Sequence, residues 1–215
     1  MKCKGETMIK TIIFDLGGVY FTDGSTKSIK IISEKYRIRQ ALVHEIFKGD
    51  IGTKYRSNMI THDEYWEMAK EYWKRPEIST DELSQIWHNN YLPIQGTIEI
   101  IRKLKAKGYR LIFLSDNVQE RVDFLQEKYD FLKDFSGGGV FSHVAKIRKP
   151  DLEIYKMALD IANAPAENCV YIDDKANLLE PAQKLGMHTI HFTSPQSLAD
   201  ELASLQVTYG TAENK

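Results

Sequence analysis

The sequence has few cysteines and no excess of charge of either sign. Its two cysteines, Cys3 and Cys169, offer neither a disulfide framework nor a zinc site, and the simplest inference is a reduced, cytoplasmic setting. With 29 basic and 30 acidic residues, the formal net charge is -1. This balance gives no bulk reason to expect nucleic acid or an anionic membrane as a partner.

Long hydrophobic runs are also absent. No segment approaches the length of a membrane-spanning helix, and the start of the chain, MKCKGETMIK, lacks the apolar stretch of a signal peptide. The 215 residues are 42% hydrophobic and 27% charged, as in an ordinary globular protein. This length suits one core domain, alone or with a smaller inserted domain, and leaves both a monomer and a homodimer open.

Residues 21–92 differ in pattern from the rest of the chain. They contain amphipathic stretches, such as 28–36 and 63–73, together with all three tryptophans. This pattern predicts several helices and no confident strand. We therefore predict a helical domain at 21–92 that is inserted into a core domain formed by 1–20 and 93–215.

Strands and helices alternate in the remaining segments. Short apolar runs predict strands at 9–16, 110–114, 139–142, 169–172 and 188–191. Helical spacing and stop signals predict helices at 97–107, 118–128, 151–163 and 177–185, and Ser194 followed by Pro195 begins a last one. The alternation predicts an α/β fold: an open, Rossmann-like parallel sheet flanked by helices, with its site beyond the carboxyl ends of the strands.

Polar residues follow these strands where the sheet ends. They are Asp15, Ser115, Lys149, Asp173 and Asp174. Three carboxylates in one place repel one another unless a cation neutralises them, and hard oxygen ligands of this kind suit Mg²⁺. The lysine and the hydroxyl would then hold phosphate oxygens, and an aspartate that faces phosphorus beside Mg²⁺ can act as a nucleophile.

Four short motifs carry a resemblance to a known family. They are FDLGGV at 14–19, LS at 114–115, KPD at 149–151 and YIDD at 171–174. In this order they resemble the motifs of the haloacid dehalogenase-like superfamily, over about residues 9–191. The helical insert is similar to the family's cap domain. Its segment 59–66 resembles a cap segment of the subgroup that contains sugar phosphatases and the phosphatase domain of soluble epoxide hydrolases.

The resemblance implies a role for each motif residue. Asp15 would be the nucleophile and a metal ligand, and the backbone carbonyl of Gly17 a second ligand. Asp174, with Asp173 beside it, would complete the Mg²⁺ site. Ser115 would bind the phosphoryl group, and Lys149 would hold both the phosphate and the nucleophile. Asp116 stands where the family more often has asparagine, so we expect its backbone N–H, and not its carboxylate, to face the phosphate.

One position departs from the family's pattern. Most phosphatases of the family carry a second aspartate two residues after the nucleophile, which protonates the leaving group. This chain has Gly17 there, and general acid–base help is typically worth about 10²–10⁴ in rate. The departure predicts a leaving group that needs little protonation, such as an anomeric sugar oxygen or an acyl phosphate, or a proton supplied by a cap residue or water.

The sequence therefore favours a Mg²⁺-dependent phosphatase acting on a small phosphorylated metabolite such as a sugar phosphate. One alternative is a metal-independent 2-haloacid dehalogenase, which would also use Asp15 and also lacks the second aspartate. The adjacent pair Asp173 and Asp174 speaks against it, because these carboxylates would be costly near a carboxylate substrate without a cation. A second alternative is a non-catalytic binding protein that kept the fold.

Overall fold

The computed structural model describes residues 8–210, so Cys3 and the extreme polar ends of the chain lie outside the described residues. Five strands form one sheet in the order β3-β2-β1-β4-β5, and every neighbouring pair is parallel. The strands are β1 (Thr11–Phe14), β2 (Arg110–Ser115), β3 (Gly139–Phe141), β4 (Cys169–Asp173) and β5 (His188–His191).

Eleven α-helices accompany this sheet within the described residues. The first five lie within residues 21–92 and are α1 (Gly24–Tyr36), α2 (Gln40–Lys48), α3 (Asp50–Arg56), α4 (His62–Trp73) and α5 (Thr80–Asn89). The others are α6 (Gln95–Ala106), α7 (Gln119–Tyr129), α8 (Ser142–Ala145), α9 (Leu152–Ala162), α10 (Glu180–Lys184) and α11 (Pro195–Ser204). Among residues 8–210, no helix has the length and apolar character needed to cross a membrane.

Both faces of the sheet are covered by helices. Because successive side chains of a strand point to opposite faces, Ile12 and Phe14 pack on one face and Ile13 on the other. Helices α6, α7 and α11 bury their apolar residues against the first face, and α9 and α10 against the second. The predicted α/β class, an open parallel sheet between helices, is confirmed.

One predicted helix is wrong. The sequence pattern favours a single helix at 177–185, but the chain forms a 3₁₀ turn, Ala176–Leu178, and then the short helix α10. Pro181 lies in the first turn of α10. Proline has no N–H to donate and its ring clashes with the carbonyl four residues earlier, so it starts a helix and does not continue one.

The chain enters and leaves the helical segment at neighbouring points. The N–H of Thr22 donates to the carbonyl of Leu92 at 2.9 Å, and the N–H of Ile94 donates to the carbonyl of Tyr20 at 2.8 Å. All five elements between these crossings are helices. The helical segment therefore begins and ends beside the carboxyl end of β1, directly over the rim where the motif residues were predicted.

Candidate active site

The motif residues lie together at the carboxyl ends of the strands. Asp15 directly follows β1, Ser115 ends β2 and Asp173 ends β4, while Lys149 lies in the loop before α9. All four are buried: Asp15 and Lys149 are 4% exposed, Ser115 2% and Asp173 0%. Parallel strands bring their carboxyl ends to one edge, which explains why residues so distant in sequence meet here.

Lys149 is the centre of this cluster. Its Nζ donates to Asp15 Oδ1 at 2.8 Å, to Asp173 Oδ2 at 2.7 Å and to the hydroxyl of Tyr171 at 3.0 Å. The Tyr171 hydroxyl in turn donates to Asp173 Oδ2. The ammonium thus has three oxygen partners, and it fixes one oxygen of Asp15 while Oδ2 has no hydrogen-bond partner among residues 8–210.

One ammonium faces two buried carboxylates. Burial lowers the pKa of Lys149, whereas Asp15 and Asp173 raise it. The effect of the carboxylates is the larger, so the pKa of Lys149 lies well above its usual value. Burial raises the pKa of Asp173, but Lys149 outweighs it and the pKa is lowered. Burial, opposed by Lys149 and reinforced by Asp173, raises the pKa of Asp15 to about 7. The site therefore holds one more carboxylate than its lysine can neutralise.

Three carboxylates are placed to share a cation. Oxygens of Asp15, Asp173 and Asp174 all lie within 4.8 Å of one another. Both oxygens of Asp173 are engaged, since Oδ1 accepts from the N–H of Lys175 at 2.9 Å and Oδ2 from Lys149. Within the described residues, the carboxylate of Asp174 accepts only from Lys175 Nζ, through Oδ1 at 3.3 Å, and is therefore the freer ligand. An all-carboxylate oxygen set of this kind fits Mg²⁺.

Gly18 makes the position of Asp174 possible. A Cβ at Gly18 would lie 2.3 Å from Asp174 Cγ, and the glycine has a φ of +100°, which side-chain-bearing residues rarely adopt. The close approach of the backbone after β1 to the carboxylate after β4 is therefore possible only with glycine. The family resemblance alone assigned no role to this second glycine.

Ser115 and Asp116 lie beside the cluster but in different environments. The Ser115 hydroxyl borders the cavity and has no hydrogen-bond partner among the described residues. The carboxylate of Asp116 is held by the protein, because Oδ2 accepts from Arg148 Nε at 3.0 Å and Oδ1 from the N–H of Lys149 at 3.1 Å. The side chain of Asp116 thus connects two loops, whereas the Ser115 side chain is not engaged by residues 8–210.

The place of the missing aspartate lies against an aromatic ring. A Cβ at Gly17 would lie 3.5 Å from Tyr91 Cε1. The hydroxyl of Tyr91 is hydrogen-bonded to Ser25 Oγ at 2.8 Å, and Gly24 has no room for a side chain because the Tyr91 ring fills that space. The helical segment therefore places a tyrosine over the position from which most family members extend a carboxylate.

The cluster opens into a cavity of about 680 Å³. One wall comes from the strand ends and the other from the helical segment, which contributes the side chains of Asp23, Lys48, Arg56 and Tyr91. Asn177 also borders it. This volume is in the range of small-molecule sites, about 300–1,000 Å³.

Several residues of the site escaped the sequence reasoning. Tyr171 could have been found, because it lies two positions before Asp173 in β4 and residues two apart share a face of a strand. Arg56, Arg121 and Tyr91 carry no such signal, because they come from segments without a motif. The packing of the helical segment brings Arg56 and Tyr91 to the cavity, and the position of α7 brings Arg121 there.

The chain matches a known protein family. The haloacid dehalogenase-like hydrolase family model matches residues 9–186. A sesquiterpene phosphatase of Aspergillus oryzae is 26% identical over 199 residues, which cover 93% of this chain and 97% of that protein. An uncharacterized protein of Dictyostelium discoideum is 25% identical over 149 residues; the match covers 68% of this chain and only 64% of that protein.

A solved structure has the same fold. It is that of a HAD family enzyme from Bacteroides thetaiotaomicron, described as a complex with magnesium and inorganic phosphate. The TM-score is 0.71 at 20% sequence identity, and the match covers 86% of this chain and 95% of that one. At this identity the likeness establishes the fold, and the chemistry is argued from the residues of this chain.

Proposed function

The chain belongs to the haloacid dehalogenase-like hydrolase family, and we propose that it is a Mg²⁺-dependent phosphatase that hydrolyses a small phosphorylated metabolite through an aspartyl-phosphate on Asp15. The observation that carries the proposal is the group of three carboxylates within 4.8 Å of one another, of which Asp15 and Asp173 share Lys149. The third, Asp174, pairs with Lys175. The named activity of the Aspergillus relative and the magnesium and phosphate of the Bacteroides structure support it.

The residues of the cluster divide the work of two displacement steps. Asp15 attacks phosphorus through the oxygen that Lys149 leaves free, the bond from phosphorus to the leaving oxygen breaks, and that oxygen takes up a proton. Water then attacks the phosphorus of the aspartyl-phosphate and releases inorganic phosphate and the Asp15 carboxylate. Ser115 and Lys149 bind the phosphoryl oxygens during both steps, with the backbone N–H of Asp116 beside them.

A cation would complete this arrangement. Asp15, Asp174 and the carbonyl of Gly17 would hold Mg²⁺, with Asp173 beside them engaged by Lys149. The bound ion would neutralise charge on the phosphoryl oxygens and offset the repulsion among the carboxylates. The excess of carboxylates over lysine described above is the feature of this chain that fits a divalent cation.

The missing side chain at Gly17 indicates which class of leaving group the protein accepts. With no carboxylate at this position and the ring of Tyr91 beside it, the position that supplies the leaving-group proton in most related phosphatases carries no acid. We therefore expect substrates whose leaving groups depart with little protonation, such as sugar-1-phosphates and acyl phosphates. The helical segment 21–92 would act as the cap that covers the cavity, over a core formed by 1–20 and 93–215.

Metal-independent dehalogenation, which would also use Asp15 as the nucleophile, is the less favoured function. Asp173 is wholly buried, and Asp174 lies within reach of it and of Asp15. A carboxylate substrate would add a further negative charge to this group, which is unfavourable without a cation. For a phosphate ester bound together with Mg²⁺, the charge of the cation would offset the added negative charge.

The test is phosphate release with and without Mg²⁺ by the parent protein and Asp15→Asn. The panel comprises a sugar-1-phosphate, a sugar-6-phosphate, acetyl phosphate, an aryl phosphate and a sesquiterpene phosphate. We expect release that requires both Mg²⁺ and Asp15 and that favours the better leaving groups. Asp63→Asn, an isosteric change at an exposed position of α4, is the matched control and should leave release unchanged. Equal release by Asp15→Asn, or chloride release from 2-haloacids without metal, would overturn the proposal.

A further inference from the structure

The cavity wall carries more positive than negative charge. Seven of its side chains are cationic, namely Lys48, Arg56, Arg121, Lys146, Arg148, Lys149 and Lys175. Three of them pair with carboxylates: Arg148 with Asp116, Lys149 with Asp15 and Asp173, and Lys175 with Asp174. Among the remaining four, Arg56 and Arg121 stand out because their side chains are buried.

Arg56, at the end of α3, is 5% exposed and has only neutral partners. Its Nη1 donates to the carbonyls of Phe47 at 2.8 Å and Gly52 at 3.0 Å, and its guanidinium lies 5.3 Å from the centre of the Trp87 ring. Nε and Nη2 have no hydrogen-bond partner among residues 8–210. Arg56 thus brings a fixed positive charge and unused donors to the cavity.

Arg121, in α7, is 2% exposed and lies against the same tryptophan. Its guanidinium is 4.7 Å from the Trp87 ring and 4.5 Å from the Tyr91 ring. Nε donates to Asn117 Oδ1 at 2.6 Å, which ties Arg121 to the loop that follows Ser115. No carboxylate lies within ion-pair distance of either arginine in the part of the chain that the structure describes.

Two buried guanidinium groups that share one ring repel each other. Burial, and then the charge of Arg121, lower the pKa of Arg56. A buried charge is stable only when it is paired, and an Arg fork is suited to carboxylate or phosphate oxygens. The transferred phosphoryl group already has Ser115, Lys149 and a metal site. An anion that neutralises the arginines must therefore come from another part of the ligand.

We propose that Arg56 and Arg121 form a second anion subsite, so that the substrate carries a carboxylate or phosphate in addition to the phosphoryl group that is transferred. Arg56 contacts this second anion with its free donors. Arg121, enclosed between Trp87 and Tyr91, adds charge and positions the neighbouring groups. The inference rests on the proposed phosphatase function and names the substrate class of that site.

The test uses aryl phosphates that differ only in the second group. They are 3-carbamoylphenyl phosphate, which is neutral in that group, 3-carboxyphenyl phosphate and 1,3-phenylene bisphosphate. For the parent protein with Mg²⁺ we expect kcat/KM for one anionic compound to exceed that of the carbamoyl compound about 10–100-fold, the effect of one hydrogen bond to a charged group. The anionic compound that is preferred distinguishes a carboxylate from a phosphate.

Arg56→Gln should abolish this preference, so that within this variant kcat/KM for the anionic compound falls to the value for the carbamoyl compound. Lys54→Gln removes a charge from the exposed side of the same helix and should keep the preference. Equal kcat/KM for all three compounds in the parent protein would overturn the inference without any variant. An equal loss for all three compounds in Arg56→Gln would also overturn it, because the arginine would then serve the transferred group.

Failure of the proposed function has a different signature. If the parent hydrolyses none of the compounds, phosphatase activity is refuted. The second anion subsite is then tested by binding measurements without turnover. Titration calorimetry of Asp15→Asn with Mg²⁺ would then show a lower Kd for an anionic compound than for the carbamoyl compound, lost in the double variant with Arg56→Gln. Equal Kd values would overturn the subsite.

Discussion

Replacement of Lys149 by methionine removes the one cation within residues 8–210 that contacts both buried carboxylates, Asp15 and Asp173. Asp15 and Asp173 would keep their positions but lose a partner at 2.8 Å and 2.7 Å respectively. Removal of one member of a buried ion pair typically costs about 3–5 kcal/mol, because the remaining charge is left without compensation. We expect Lys149→Met to lower the free energy of unfolding by about this amount near pH 8 in the absence of metal.

The loss should depend on conditions in a defined direction. Without Lys149 the pKa of Asp15 rises further, so the carboxyl takes up a proton as the pH falls and the penalty shrinks. Added Mg²⁺ should also reduce the penalty, because it supplies a cation to the same carboxylates. Urea unfolding followed by circular dichroism, at several pH values with EDTA or Mg²⁺, measures both trends.

Lys156→Met is the matched control. Lys156 pairs with Glu153 at 2.6 Å, but its side chain is 47% exposed, and such pairs contribute about 0–1 kcal/mol. If Lys149→Met is destabilised no more than this control, the charges of the cluster do not act as described. A loss that is the same at all pH values and with Mg²⁺ would refute the reasoning as well.

Three further predictions follow from the described contacts. Gly18→Ala should weaken Mg²⁺ binding, measured by calorimetry, because its methyl group displaces Asp174, whereas Gly17→Ala meets only an ordinary contact at 3.5 Å and should bind Mg²⁺ as the parent does. Tyr171→Phe should lower the free energy of unfolding by about 1–3 kcal/mol through the loss of a buried hydroxyl, measured by urea titration. Burial, and then Arg121, lower the pKa of His88 to about 3, below its unfolded value, so stability is complete above the unfolded pKa of 6.5 and falls as the pH drops toward 3. The parent should therefore lose about 2 kcal/mol more than His88→Gln between pH 7 and pH 5, and equal slopes would contradict this.

The candidate site residues could be predicted from the sequence because the fold places them at the carboxyl ends of the strands. Asp15, Ser115 and Asp173 each stand at the end of a short apolar run, and parallel strands with helical crossovers align all such ends at one edge. Strand and helix types were also readable from the spacing of apolar residues. The helix predicted at 177–185 was wrong because the prediction from apolar spacing took no account of Pro181. Proline has no N–H to donate, so α10 begins there instead of continuing the turn before it.

The types of the strands and helices could be predicted from local sequence, whereas the residues that surround the site could not. By itself, the sequence determined an α/β sheet and predicted Asp15 and a group of carboxylates at one edge of it. Only the tertiary structure decided that Lys149 joins two of those carboxylates, that Tyr91 covers Gly17, and that Arg56 and Arg121 meet over one tryptophan. The contacts of Tyr91 and Trp87 arise where the helical segment packs over the rest of the chain. All of these contacts join residues far apart in the chain, which no local periodicity encodes.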